Sequence, residues 1–426
     1  MTPRQFLRDY SDDARLVTGA YYPQAPLELV AGDKVGVVLL NLGGPTSTDD
    51  VEPFLYNLFM DPAIIDIPLP KVVRHRLSSF IAKKRAKIVG EDYQVIGGSS
   101  PLNRHTREQA QALEQRLNDR FSAATGATFK TYVAMRYWHP TSEEAAAQMQ
   151  ADGVTKVVLL PLYPQYSKTT TGSSLVYWKA LEEAGEIPTW DTTFVYEYCA
   201  HPKYTQAISE RIDEGLQRFP FEVRDRVHLV FSAHGTPLKE LEKRRDPYCC
   251  LVHSTVQRVM DYREGIDPDR PFHTAFQSKV GPAKWLTPST PDKLEELAEE
   301  GHTATLVIPI AFVSDHIETA YELDIEVREE AVEAGIEHYE VTRGLNGHPL
   351  FIEALAESVA AQVSAAVSGD GAETDLLPSA IPTLPRYKAS ARTVRCERCP
   401  LVTEACDWSR EVATRVPVPD EVRKAA

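Results

Sequence analysis

Two stretches of this chain place proton-handling and cation-holding side chains directly after apolar runs. One is Ser232-Ala233-His234-Gly235-Thr236-Pro237, which follows the run 227–231. The other is Ala311-Phe312-Val313-Ser314-Asp315-His316-Ile317-Glu318-Thr319, which follows 306–310 and leads on to Glu322, Asp324 and Glu326. An imidazole titrates near neutrality and can take up or return a proton. Carboxylates relay protons and hold hard divalent cations loosely. A helix starting near Asp315 would put Glu318 and Glu322 on one face at i and i+4, extended by Asp315 and, less closely, by Glu326. Singly, a histidine is usually structural and a carboxylate run is usually a solvated face. Together, His234, His316 and the acidic face at two strand ends suit proton abstraction with cation or proton passage.

A third cluster is soft. Six cysteines occur, at Cys199, Cys249, Cys250, Cys396, Cys399 and Cys406. The tail Cys396-Glu397-Arg398-Cys399 is followed by Cys406, and in a reducing compartment such a set suggests metal ligation before disulfides. Zinc, an iron-sulfur cluster and three thiols all fit that spacing.

The elements that must hold these residues read as βαβ units. Short, nearly continuous apolar runs at 35–40, 130–134, 156–160, 227–231 and 306–310 predict parallel strands covered on both faces. Helical spacing of apolar residues predicts helices over 106–121, 142–150, 203–217 and 352–366. The expected organisation is an N-terminal extension (1–34), an α/β domain (35–197), a second α/β domain carrying His234 and Glu318 (198–366), and a linker with the cysteine-bearing tail (367–426). The linker is marked by Gly369, Gly371, Pro378, Pro382 and Pro385. Within the first domain, residues 54–88 combine apolar side chains with Lys71, Arg74, Arg76, Lys83, Lys84, Arg85 and Lys87. That segment fits either core helices or a patch lying on a membrane surface.

Composition narrows the classes further. Of the 426 residues, 43% are hydrophobic and 25% charged, which excludes collagen-like, coiled-coil and wholly disordered chains. The net charge of −15 argues against a nucleic-acid partner. No apolar run reaches the ~18 residues of a membrane span, and residues 1–34 lack the apolar core of a secretory signal, so a cytoplasmic protein is expected. The turn Asn41-Leu42-Gly43-Gly44-Pro45 does not fit G-x-G-x-x-G, and no G-x-x-x-x-G-K-[ST] occurs, so no nucleotide cofactor is expected.

Several ordered motifs identify a resemblance. Leu39-Leu40-Asn41-Leu42-Gly43-Gly44-Pro45, Ile96-Gly97-Gly98-Ser99-Ser100-Pro101, Pro164-Gln165-Tyr166-Ser167, Phe231-Ser232-Ala233-His234-Gly235-Thr236-Pro237, Gln277-Ser278-Lys279-Val280-Gly281-Pro282 and Ser314-Asp315-His316-Ile317-Glu318-Thr319 are similar to those of ferrochelatase, over about residues 35–366. The resemblance implies two Rossmann-like α/β domains that insert Fe2+ into a porphyrin. It implies His234 as the proton acceptor or metal ligand with Glu318 as its partner, and His316, Asp315 and Glu322 as an acidic path behind them. Tyr163, Arg136, Trp285, Phe312 and Leu42 would line or order the porphyrin pocket, with residues 54–88 as its lip. That lip would give peripheral contact with the inner face of a membrane, and a homodimer is a family expectation.

Family members acting on coproporphyrin tend to carry Tyr where this chain has Leu42, which points to protoporphyrin IX. Arg136 or the cluster at 83–85 would pair with its propionates. Some members hold a 2Fe-2S cluster on three tail cysteines and a fourth from the body. Here Lys168 occupies the animal position of that fourth ligand, leaving Cys249 and Cys250 as candidates, with Cys199 behind them. The rival readings are a coproporphyrin III ferrochelatase, a related chelatase loading cobalt into a reduced tetrapyrrole, and a porphyrin or haem carrier without catalysis.

Overall fold

The computed structural model describes residues 15–22, 26–64, 71–242, 244, 246–279 and 281–365. These fall into two compact units, the first up to Glu197 and again from Ile352, the second Tyr198–Phe351. In chain order the first unit contains α1 (Arg15–Thr18), β1 (Leu27–Leu29), β2 (Lys34–Asn41), α2 (Val51–Met60), α3 (Lys71–Val95), α4 (Leu102–Leu117), β3 (Thr128–Met135), α5 (Ser142–Asp152), β4 (Lys156–Pro161), α6 (Ser173–Glu183) and β5 (Asp191–Phe194). The second contains α7 (Pro202–Leu216), β6 (His228–His234), α8 (Tyr248–Arg263), β7 (Phe272–Gln277), α9 (Thr290–Glu299), β8 (Ala304–Pro309), a π-helix (Glu318–Glu326), α10 (Val327–Ala334) and β9 (His338–Val341). The chain then runs through α11 (Pro349–Ala360) to β10 (Val363–Ala365).

Each unit is built on a four-stranded, wholly parallel sheet, in the order β3-β2-β4-β5 in the first and β7-β6-β8-β9 in the second. The apolar runs explain this. Val35, Val37, Val38, Leu39 and Leu40 of β2 are buried, as are Leu229, Val230 and Phe231 of β6, because helices cover both faces of a parallel sheet. In both sheets the connections diverge between the central strands, β2 and β4 or β6 and β8. The gap at their carboxyl ends is where open α/β sheets bind ligands. His234 ends β6 and residues 310–317 follow β8, so the chemistry-bearing stretches of the second unit flank that gap.

The α/β class and the five predicted strands agree with the structure, each within three residues at either end. Three further strands, β5, β7 and β9, are edge elements without a long apolar run.

Two expectations require correction, and a third is divided. The predicted helix 352–366 ends at Ala360; residues 363–365 are a strand, and from Ile352 the chain belongs to the first unit rather than the second. The N-terminal segment is not merely an extension. β1 pairs in parallel with β10, Leu16, Leu27 and Leu29 are buried, and Tyr166 Oη donates to the Leu16 carbonyl at 2.7 Å. Local polarity could not reveal either feature, because the partner surfaces lie far away in sequence. Finally, residues 54–88 divide. α2 buries Val51, Phe54, Leu55, Phe59 and Met60, whereas α3 exposes Val72, Val73, Phe80 and Ile88.

Candidate active site

In the second unit, three strand ends converge on one acidic pair. The His234 side chain projects from the last residue of β6 and is 40% exposed. Its Nδ1 lies 2.6 Å from the Gly235 carbonyl oxygen. A carbonyl can only accept, so Nδ1 carries the proton and Nε2 keeps its lone pair when the ring is neutral. That Nε2 faces Glu318 Oε2 at 3.9 Å. His316, fully within the fold after β8, repeats the arrangement: Nδ1 donates to the Ser314 carbonyl at 3.1 Å, and Nε2 also lies 3.9 Å from Glu318 Oε2. Two imidazole nitrogens therefore address the same carboxylate oxygen from beyond hydrogen-bond range.

From the end of β7 comes Ser278, whose positive φ of 63° is uncommon outside glycine. Its hydroxyl lies 2.8 Å from each Glu322 oxygen and 3.5 Å from Glu318 Oε2. Both glutamates are on the π-helix, a geometry that recurs at functional sites. Buried Leu323 and Val327 hold this helical segment in the core with Leu294, Leu297 and Val307, at about 1.5–3 kcal/mol per large side chain. Burial, then the neighbouring Glu318 charge, pushes the Glu322 carboxyl up to about 7. Burial also lowers the His316 imidazole, opposed by the adjacent Glu318. A carboxyl at about 7 can exchange a proton near neutral pH.

The structure does not bring Asp315 into this group. Its carboxylate accepts the Gly344 amide at 2.8 Å and Asn346 Nδ2 at 2.7 Å. Phe312 packs against both histidines, with ring centroids 4.4 Å from His316 and 6.5 Å from His234. Trp285 is drawn to the segment after His234 by backbone pairing with Pro237, and Gly235 makes room for it: a Cβ there would stand 3.1 Å from Trp285 Cε3 and 2.8 Å from the Gln277 carbonyl. Two contributors escape the sequence reading of the site, Ser278 and Tyr248. The buried Tyr248 hydroxyl donates to the His234 carbonyl at 3.0 Å. Ser278 belongs to a recognisable motif, but only the folded contacts reveal that it faces Glu322.

In the first unit, the half-buried residues Leu42 and Tyr163 follow β2 and β4. Arg136 follows β3 and its side chain is only 5% exposed: Nη2 donates to Asp61 at 2.9 Å, Nε donates to Ser173 Oγ at 3.0 Å, and the guanidinium stacks 4.2 Å from the Tyr177 ring. Asp61 also accepts from Tyr137 Oη at 2.6 Å, so Arg136 is tied into a dense network.

Cys396, Cys399 and Cys406 lie outside the described residues. Cys199 and Cys249 are buried, while Cys250 is half-buried in the first turn of α8. Among the described residues, no three His, Cys, Asp or Glu side chains form a ready-made metal site, and no helix is long and apolar enough to cross a membrane.

Comparison with known proteins adds an independent finding. The ferrochelatase family model matches residues 34–363. A ferrochelatase of Synechococcus elongatus is 46% identical over 327 residues, covering 76% of this chain and 82% of the relative. One from Geotalea daltonii is 43% identical over 328 residues, covering 77% and 97%. SirB from Bacillus subtilis with Fe3+ aligns at a TM-score of 0.43 and 12% identity, over 78% of this chain and 96% of that one, too loose a likeness to carry weight. A family match across most of the chain, with relatives of this identity, establishes that the chain belongs to the ferrochelatase family.

Proposed function

We propose that this chain inserts Fe2+ into a porphyrin in haem biosynthesis, with His234 and Glu318 as its catalytic residues. The observation that carries this reading is the single Glu318 oxygen addressed by two imidazole Nε2 atoms, each at 3.9 Å. Insertion exchanges two pyrrole N–H protons for one metal ion. The exposed His234 Nε2 is a base with its lone pair free, suited to taking a pyrrole proton. Glu318 then stabilises the resulting imidazolium, and Glu322, titrating at about 7, can relay the proton onward. The same spacing suits the incoming ion: nitrogen and oxygen ligands at about 2.1 Å from one cation lie roughly 3.0–4.2 Å apart. A carrier without catalysis would need no such pairing.

Protoporphyrin IX is the proposed substrate, because Leu42 offers an apolar side chain after β2. Within the second unit, Phe312 and Trp285 offer aromatic surface beside His234; within the first, Leu42 and Tyr163 are the candidate wall residues after β2 and β4. Arg136, already engaged by Asp61 and Ser173, orders that wall rather than pairing with a propionate. Cys396, Cys399 and Cys406 would hold a 2Fe-2S cluster together with Cys250 or Cys249. Cys250 is half-buried and in the first turn of its helix, and Cys249, beside it, is buried.

One anaerobic experiment tests both readings: an absorbance spectrum of the purified protein, then protoporphyrin IX and Fe2+ in the same cuvette. A brown protein that produces the haem spectrum is expected. A colourless protein would remove the cluster, and porphyrin bound without conversion would favour the carrier.

The partner of the α3 face is proposed to be an anionic membrane surface. In a chain of net charge −15, that helix exposes Val72, Val73, Phe80 and Ile88 beside Arg76, Lys83, Lys84 and Lys87. Co-sedimentation with phosphatidylserine vesicles should fall in Phe80→Ser; unchanged binding would refute this docking face.

A further inference from the structure

Asp315 lies only three residues before Glu318, yet its polar atoms are engaged by the loop ahead of α11. Its Oδ1 accepts the Gly344 amide at 2.8 Å and its Oδ2 accepts Asn346 Nδ2 at 2.7 Å. In return, the Asp315 amide donates to Asn346 Oδ1 at 3.0 Å. Asn346 therefore grips both the main chain and the side chain of Asp315.

The gripping loop is itself held. The Asn346 amide donates to the Val313 carbonyl at 2.8 Å. Arg211, from α7, donates to the carbonyls of Gly344 and Leu345, both at 3.1 Å. Asn346 adopts φ 47°, a left-handed conformation that Asn tolerates better than most residues. At Gly344 a Cβ would stand 2.8 Å from the Asp315 amide nitrogen and 3.0 Å from its Oδ1, so the approach requires glycine.

Downstream of the clasp, the chain is short and internally tied. The His316 amide donates to Thr319 Oγ1 at 3.0 Å, and the Ala320 amide to the His316 carbonyl at 2.8 Å. A displacement at residue 315 is therefore transmitted to His316 and Glu318. Core burial of Leu323 secures the helix further along, leaving its start to the clasp.

We infer that Asn346 is a positioning residue for metal insertion: its clasp on Asp315 sets the start of the π-helix and hence the spacing of Glu318 from His234 and His316. The Asp315 carboxylate serves the clasp and not the proton path. The inference rests on the proposal that His234 and Glu318 carry insertion.

The test exchanges the two side chains. Asn346→Asp sets two carboxylates face to face; kcat should fall about tenfold with the porphyrin KM within twofold of wild type. Asp315→Asn sets two carboxamide donors against each other and should do the same. The double variant Asp315→Asn/Asn346→Asp restores every partner. The carboxamide at 315 accepts from Gly344 and donates to the carboxylate at 346, which still accepts the amide of residue 315. Its kcat should return to within about threefold of wild type, with a superimposable pH profile. Recovered thermal stability without recovered kcat, or a displaced pH profile, would place the Asp315 carboxylate in the path and overturn the inference.

Asn346→Gly supplies a version that keeps the left-handed backbone and removes only the clasp. Reduced kcat at unchanged porphyrin KM is expected, and wild-type kcat overturns the inference. Glu318→Gln run alongside separates the two claims. Retained insertion there would sink the underlying site assignment, whatever the exchange shows.

Discussion

Histidines gather at both ends of the second sheet, and the two gatherings are chemically opposite. At the carboxyl end, His234 and His316 each face Glu318. At the amino end, His228 opens β6 and meets two further imidazoles. Its Nδ1 lies 3.1 Å from His273 Nε2 with the rings parallel within 3°, and its ring centroid is 4.0 Å from that of His302. Burial, then His302, His273 and Arg270, drives the His228 imidazole down to about 4, while Glu300 stands 3.7 Å from His302. The difference teaches that the group an imidazole faces decides its use. Opposite a carboxylate, the charged form gains a counter-charge, and at His316 this opposes the lowering that burial imposes. Among other imidazoles and an arginine, the charged form is penalised and the ring serves as packing with a hydrogen bond.

The largest effect that sharpens this contrast is expected from Glu318→Gln. The glutamine keeps shape and polarity but no longer balances an imidazolium, so insertion should fall about 10²–10⁴-fold in a stopped assay while porphyrin fluorescence still reports binding. Activity above a tenth of wild type would erase the functional distinction between the two ends. At the amino end, His228→Gln should leave insertion within twofold at pH 7.5, and its consequence should appear in acid. A histidine held neutral in the fold, at about 4 against 6.5 unfolded, lends stability that is complete above pH 6.5 and drains away as pH falls toward 4. The wild type should lose up to about 3 kcal/mol over that window by urea titration, and the variant visibly less. Parallel curves would break the account. The smallest effect belongs to Ser278→Ala. The hydroxyl holds Glu322 lower than burial alone would, and a hydrogen bond worth about 0.5–1.5 kcal/mol corresponds to ~0.4–1 pH unit. The acidic limb of the rate profile should move upward by that amount, and an unmoved limb would remove Glu322 from the relay.

The carboxyl ends of the two sheets differ as well. After β3, Arg136 is fully committed to Asp61, Ser173 and Tyr177, as a buried guanidinium must be to offset its desolvation. After β6, His234 is part-exposed and stands clear of its partner. The two arrangements suit a rigid wall and a reacting group respectively.

Much of this was legible in the chain alone, because parallel strands buried on both faces must be apolar almost throughout. Runs such as 35–40 and 306–310 therefore betray the fold class, and the residues that follow them are the ones such sheets present to ligands. His234, His316 and Glu318 are legible for that reason, as are the motifs around them. What the tertiary structure alone decided depends on partners distant in sequence. Nothing local distinguishes Asp315, turned to Asn346, from Glu318, turned to two histidines. Nothing local shows that Ser278 reaches Glu322, that Arg136 is closed off by Asp61, or that β1 waits for β10 to complete a ladder. Side-chain type and spacing declare which chemistry is available; the folded contacts determine which group each side chain faces, and so its charge, its freedom and its role.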